Sequence, residues 1–262
     1  MSNGPKYFDT HVHLDMLQKR GIEPKTAIEN AISGGVTGMI AISGSNFDLD
    51  FETTVDIVKE NEQVYMAAGY HPHNAADITS AHLEKLKTVL SQKKCVALGE
   101  IGLDYFYNHS PSKEQRKIFI EQIKIAREFA LPVIIHTRNA DDETITIIKN
   151  EGVGEIGGVL HCFSSGEKLA MEAVDLGMYI SFSGIITFPK SESICETAKN
   201  IPAGRILCET DSPYLSPVPH RGKTNEPLRV KHVVEKVASV RDVELEQFSE
   251  VIIANTEKCF NI

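Results

Sequence analysis

Eight short apolar segments alternate with longer stretches of helical period along this chain, and that alternation restricts its fold more than any other feature. The strand candidates are YFDTHV, GMIAIS, VYMAAG, CVALGE, PVIIH, GVLHC, MYISFS and RILCET. Between them the clearest helix is EQRKIFIEQIKIAREFA, in which Phe119, Ile123, Ala126 and Ala130 recur at helical spacing. Gly, Pro, Asn or Asp punctuates most of the joins. Eight strands alternating with helices over 262 residues predict an α/β fold, a (β/α)8 TIM barrel, with a doubly wound open sheet as the alternative. No low-complexity stretch or Gly/Ser linker divides the chain, so residues 1–262 read as one domain.

Composition narrows the function classes. A net charge of −9 offers no chain-wide basic surface for nucleic acid or membrane. No apolar run approaches membrane-spanning length, and the N-terminus lacks the basic and apolar succession of a signal peptide. The five cysteines, Cys95, Cys162, Cys195, Cys208 and Cys259, are scattered and form no CxxC. Free thiols in a reducing cytoplasm are the expectation.

In a barrel, chemistry gathers at the C-terminal ends of the strands, and the polar residues of this sequence fall there. The first strand ends in FDTHVHLD with His11 and His13, the third runs into GYHPHNA with His71 and His73, and the fourth carries Glu100, with Asp104 in the following loop. His136 then Arg138 end the fifth, His161 the sixth, and Glu209 and Asp211 the eighth. Strict alternation along Tyr7–Val12 would point Asp9, His11 and His13 to one face and Phe8, Thr10 and Val12 to the other. A single histidine at a strand end is more often a hydrogen-bonded core or loop residue than a ligand. Six on one rim need partners, and a shared metal supplies them.

With these residues in place, the chain resembles the TatD family of metal-dependent deoxyribonucleases, among the amidohydrolase-like barrels. The resemblance rests on DTHVHLD, GYHPH, ALGEIGLDY, LPVIIHTRNA, GVLHCFSSG, ISFSGIITF, ETDSPYLSP and HRGKTNEP, which follow one another in family order. It implies that His11, His13, Glu100 and Asp211 hold one divalent ion, and that Glu100, His136 and His161 hold a second, with Glu100 bridging. The activity implied is hydrolysis of DNA phosphodiester bonds by a metal-activated water, from strand ends in the 3′ to 5′ direction. Asp211, with Glu100, would be catalytic, ligating metal and orienting or deprotonating the water.

Mixed nitrogen and oxygen ligation admits zinc, manganese, magnesium or nickel. Two divalent ions against two carboxylates leave the ligand shell at about +2, suited to an anionic diester. For substrate contact His71, Arg138 and Arg221 stand out, with Lys190, His220 and Lys223 as further basic residues of the loops. Asp9 and Glu209 could support ligand histidines or make local backbone hydrogen bonds. Asp104 could touch substrate, support a ligand or cap its loop. Two rival functions keep the same residues: a small-molecule amidohydrolase or phosphoesterase, and a binding protein with structural metal. The second fits poorly, because structural zinc sites favour cysteine and no cysteine occupies a ligand position. Nothing in the sequence points to a protein partner.

Overall fold

The computed structural model of the chain describes residues 4–44 and 49–262. Eight strands pair in parallel in sequence order: β1 Tyr7–Val12, β2 Val36–Ser43, β3 Val64–Ala68, β4 Cys95–Asp104, β5 Val133–Arg138, β6 Gly158–Leu160, β7 Tyr179–Phe182 and β8 Ile206–Cys208. The edges meet just beyond β8, where Val12 bridges Ser212 in parallel and the His13 N–H donates to the Ser212 carbonyl at 2.8 Å. The fold is the (β/α)8 barrel that the alternation predicts; a doubly wound sheet would leave these edges apart.

Successive strand residues point into two separate apolar clusters, which is why the strands read as continuous apolar runs. Ile40, Ala67, Ile134, Val159 and Leu207 fill the barrel interior with Phe8 and with Phe260 of the last helix, Leu245–Phe260. Their neighbours Met39, Met66, Ile135, Leu160 and Ile206 face outward onto the surrounding helices. Phe8 belongs to the inner cluster and Val12 to the outer one, so strict alternation along β1 fails. The β1–β2 register shifts between Asp9 and Val12, and the irregularity re-aims the end of the strand.

Two further boundaries differ from the sequence reading. The long helix spans Ser112–Phe129, burying Phe119, Ile123 and Ala126, but Ala130 is its left-handed cap at φ 51°. Pro132 disfavours a helical conformation at Leu131, which ends the helix here. Strand β4 continues to Asp104, placing that residue on the sheet instead of in a loop. Glycine permits this extension. A β-carbon at Gly99 would sit 2.6 Å from Ile134 Cβ, and one at Gly102, where φ is +141°, would fall onto the His136 carbonyl. Strands β4 and β5 therefore approach closely on both sides of Glu100.

Ile123 is fully buried in the outer cluster. Ile123→Ala should lower unfolding free energy by about 2–5 kcal/mol. Lys124→Ala, on the exposed face of the same helix, should stay within about 0.5 kcal/mol of the wild type. Urea denaturation followed by circular dichroism, with metal at constant concentration, measures both.

Candidate metal centre

Glu100, midway along β4, is the hub of the barrel's C-terminal mouth, and its two carboxylate oxygens face different histidines. Oε2 lies 3.7 Å from His11 Nε2 and 4.0 Å from His13 Nε2, both from the end of β1. Oε1 lies 2.7 Å from His161 Nε2, just past β6, and 3.1 Å from His136 Nδ1 in β5. Asp211, three residues past β8, completes the first group, with Oδ1 3.3 Å from His13 Nε2 and 3.7 Å from His11 Nε2. All six predicted ligands thus converge. Three overlapping groups have their donor atoms within 4.8 Å of one another: His11, His13 and Asp211; His11, Glu100 and His161; His71, Glu100 and His136.

The donor set fits a divalent ion. Bonds of roughly 2.0–2.2 Å place tetrahedral donors roughly 3.3–3.6 Å apart, near the 3.3–4.0 Å separations within the first group. The ring nitrogens are also oriented from behind. His161 Nδ1 donates to Glu209 Oε1 at 3.2 Å, which leaves Nε2 toward Glu100. His136 Nε2 faces Asp104 Oδ2 at 3.2 Å, which leaves Nδ1 toward Glu100. Carboxylates behind ligating imidazoles fix the tautomer and raise ligand basicity. Glu209 and Asp104 therefore support histidines. Asp9 takes the local role, accepting from Thr210 N at 2.9 Å and Thr210 Oγ1 at 2.6 Å, and burial pushes its carboxyl up to about 8.

Charge is concentrated where water is scarce. Burial works to raise the Glu100 carboxyl, but the charge of His161 and hydrogen bonds from His11 and His136 hold it well below its usual range. Burial works to lower His161 too, and there Glu100 and Glu209 prevail, holding the imidazole well above its ordinary value. Asp211 is lowered by His13 against the same desolvation. A divalent ion would displace protons held between such pairs, so metal binding here is coupled to proton release.

His71 stands apart from the ligands despite lying 3.5 Å from Glu100 Oε1 through its Nε2. Burial lowers its pKa to about 4, keeping it neutral, and its Nδ1 accepts the His73 N–H at 3.2 Å. The proton therefore sits on Nε2, so the ring offers the site a donor and not a lone pair.

The centre opens into a cavity of about 620 Å³ whose walls include Tyr107, Arg138 and Tyr214. Arg138, the last residue of β5, lies 4.1 Å above the Phe106 ring and 4.7 Å from that of Tyr107. Arg221 stacks 3.6 Å over Phe188 and is not among the residues lining this cavity. Sequence reasoning passed over Tyr107 and Tyr214, yet a signal existed. Each lies three residues after a carboxylate at a strand end, and one turn folds it back: Tyr107 N donates to Asp104 Oδ1 at 2.8 Å, and Tyr214 N to the Asp211 carbonyl at 2.9 Å. The His73 contact to Asp104, at 2.9 Å, was equally unforeseen.

Known proteins share this sequence and this fold. The family described as TatD related DNase matches residues 8–261. The metal-dependent hydrolase YcfH of Escherichia coli K12 is 39% identical over 261 residues, covering 97% of this chain and 95% of the relative. The metal-dependent hydrolase YabD of Bacillus subtilis is 37% identical over 256 residues, covering 97% and 99%. The crystal structure of YJJV, a TatD homolog from Escherichia coli K12, superposes with a TM-score of 0.90 at 28% identity, covering 98% of each chain. Barrel, converging ligand types and full-length similarity together make this chain a member of the TatD family of metal-dependent hydrolases, within the amidohydrolase-like superfamily.

Proposed function

We propose that this hydrolase cleaves DNA phosphodiester bonds at strand ends, with two divalent ions held side by side and Glu100 shared between them. The observation that best supports this reading is the division of the Glu100 carboxylate, with Oε2 turned to His11 and His13 and Oε1 to His136 and His161. His11, His13, Asp211 and Oε2 would hold one ion, and His136 Nδ1, His161 Nε2 and Oε1 the other. Bound there, zinc, manganese, magnesium or nickel would polarise a phosphoryl oxygen and lower the pKa of water.

The chain's own groups then act around the phosphate. Asp211, 13% exposed through its side chain, faces the cavity and orients the attacking water, accepting its proton. His71 donates from Nε2 to a phosphoryl oxygen as charge builds there. Arg138 offers a guanidinium at the mouth that can clamp a phosphate in a bidentate manner. Arg221, stacked on Phe188 outside the cavity, meets the strand farther out. Five thiols, all free, suit a reducing cytoplasm. Among the described residues no helix is long and apolar enough to cross a membrane.

Metal analysis of protein saturated with manganese or zinc should find two ions per chain, and Glu100→Ala should lose both along with activity on labelled oligonucleotides. Two ions retained by Glu100→Ala would remove the shared-ligand assignment. Asp104→Asn takes away the acceptor behind His136 and should weaken metal affinity or activity by roughly 10- to 100-fold, read by titration calorimetry and kinetics. Arg221→Ala should slow oligonucleotide hydrolysis and leave a small chromogenic phosphodiester unaffected. Turnover of small esters or cyclic amides with no oligonucleotide cleavage would favour the small-molecule hydrolase instead.

A further inference from the structure

Two glutamines of the long helix Ser112–Phe129 are as buried as its apolar residues: Gln115 and Gln122 are each 1% exposed. Each clamps the backbone of one residue at the barrel mouth. Gln122 Oε1 accepts the Tyr70 N–H at 2.7 Å, and its Nε2 donates to the Tyr70 carbonyl at 3.0 Å. Gln115 Oε1 accepts the Asp104 N–H at 2.8 Å, and its Nε2 donates to the Asp104 carbonyl at 3.0 Å and the Ser110 carbonyl at 2.7 Å. A carboxamide carries a donor and an acceptor side by side, as a peptide group does, so each side chain stands in for a neighbouring strand. Strand β3 ends at Ala68, opposite Leu98, while β4 runs on to Asp104. The Tyr105 N–H turns toward β5 and the Arg138 carbonyl, so the Asp104 N–H before it points the other way and meets the helix. The two glutamines are seven residues apart, two turns of helix, and leave one face about 10 Å from each other.

What the two clamps hold is different. Tyr70 immediately precedes His71, whose Nε2 lies 3.5 Å from Glu100 Oε1. Asp104 stands behind His136, its Oδ2 3.2 Å from the ring Nε2. One clamped residue is thus a single peptide bond from the donor, and the other a single hydrogen bond from a ligand. Glutamines that merely satisfied buried backbone groups would cost stability when lost, and both losses would look alike. We propose that Gln122 and Gln115 are positioning residues with separate duties. Gln122 sets His71 against the reacting phosphate, and Gln115 sets Asp104 and, through it, the ring of His136 toward its ion. The helix outside the barrel is then a ruler with one mark for the donor and one for the ligand. The inference rests on the reading of His71 as donor and His136 as ligand, and deepens it by naming what holds each in place.

The test compares Gln122→Met and Gln115→Met in the full chain, since methionine keeps the length of the side chain and removes both bonds. Three quantities are read: manganese affinity by titration calorimetry, kcat on bis(4-nitrophenyl) phosphate at saturating manganese, and urea denaturation. Gln122→Met should lose roughly ten- to hundred-fold in kcat, the scale of a misplacement of about 1 Å, and keep the wild-type manganese affinity. Gln115→Met should bind manganese roughly ten-fold more weakly and lose far less kcat than Gln122→Met. Gln122→Glu and Gln115→Glu keep the oxygen that accepts the backbone N–H. They should fall between the wild type and the methionine variants, and they carry the same comparison where a methionine variant does not fold. Lowered stability with kcat and affinity both intact would overturn the proposal, and so would the same loss in the same quantity from both positions. The chromogenic diester contains no strand, so these outcomes do not depend on the DNA reading. That reading fails instead if the wild type turns over this diester and no oligonucleotide. A wild type that binds no manganese would bring down the metal reading, and both assignments with it.

Discussion

The parallel seam between the end of β1 and the segment after β8 is the contact on which the rest of the molecule depends. Every other strand pairs with its neighbour in sequence, whereas this seam joins residues about 200 positions apart. It is made of few bonds: His13 N to the Ser212 carbonyl at 2.8 Å, Asp211 N to the His11 carbonyl at 3.0 Å, and Thr10 Oγ1 to the Cys208 carbonyl at 3.1 Å. Closure removes the open strand edges that a sheet otherwise presents. The same backbone bonds bring His11 and His13 to Asp211, so closing the barrel and assembling the first ligand group are one event. Asp211 holds a left-handed backbone at φ 56°, which costs a non-glycine residue roughly 1–3 kcal/mol. Thr210 and Ser212 on either side are fully buried, Thr210 donating to Asp9 and the two residues bonding to each other, which keeps that conformation in place.

A buried cluster of carboxylates and imidazoles is expensive unless each charge is met. Here the charge of Glu100 is met in layers, while His11 Nδ1 is buried without a hydrogen-bond partner among the described residues. Glu100 is only 4% exposed and is surrounded by ring nitrogens, two of which are held from behind by Asp104 and Glu209. Asp104 is tied in turn, its Oδ1 accepting from the backbone of Phe106 and Tyr107 and its own N–H donating to Gln115 of the long helix. Rotation of the His136 ring would break a chain of contacts reaching a helix outside the barrel. Rigidity at the mouth is thus a property of the packed fold and not of the ligands alone.

The sequence made the fold legible because periodicity carries it: strand and helix periods alternate, and apolar side chains mark both faces of every strand. Ligand candidates were legible through their position at strand ends. The remainder depended on three-dimensional neighbours that spacing does not encode. Asp104 reads as a loop residue until glycine at 99 and 102 lets β4 run on beside β5. His71 reads as a substrate contact, but only the His73 N–H on its Nδ1 shows that it meets the site as a donor through Nε2. The face reversal along β1 needed a register shift invisible to strict alternation. Arg221 and Arg138 look equivalent as basic loop residues, yet one stacks outside the cavity and the other lines it.

Counting the supporting carboxylates changes the electrostatic picture of the mouth. With only the ligands included, two divalent ions leave a positive centre. Asp104 and Glu209, hydrogen-bonded to the ligand rings, add two negative charges to those of Glu100 and Asp211, and the proposed occupied centre comes to about zero. The whole chain is acidic at −9, so long-range attraction does not draw a polyanion to it. Recognition then has to be local, at distances where a guanidinium and an aromatic face act directly. Arg138 with Phe106 and Tyr107 supplies both on one side of the cavity, and Tyr214 supplies a ring near His13 on another. These groups stand at the strand ends and in the segments that follow them, not within the barrel wall. One metal-binding barrel could therefore serve different esters in different relatives, with substrate choice residing in the loops that follow β4, β5 and β8.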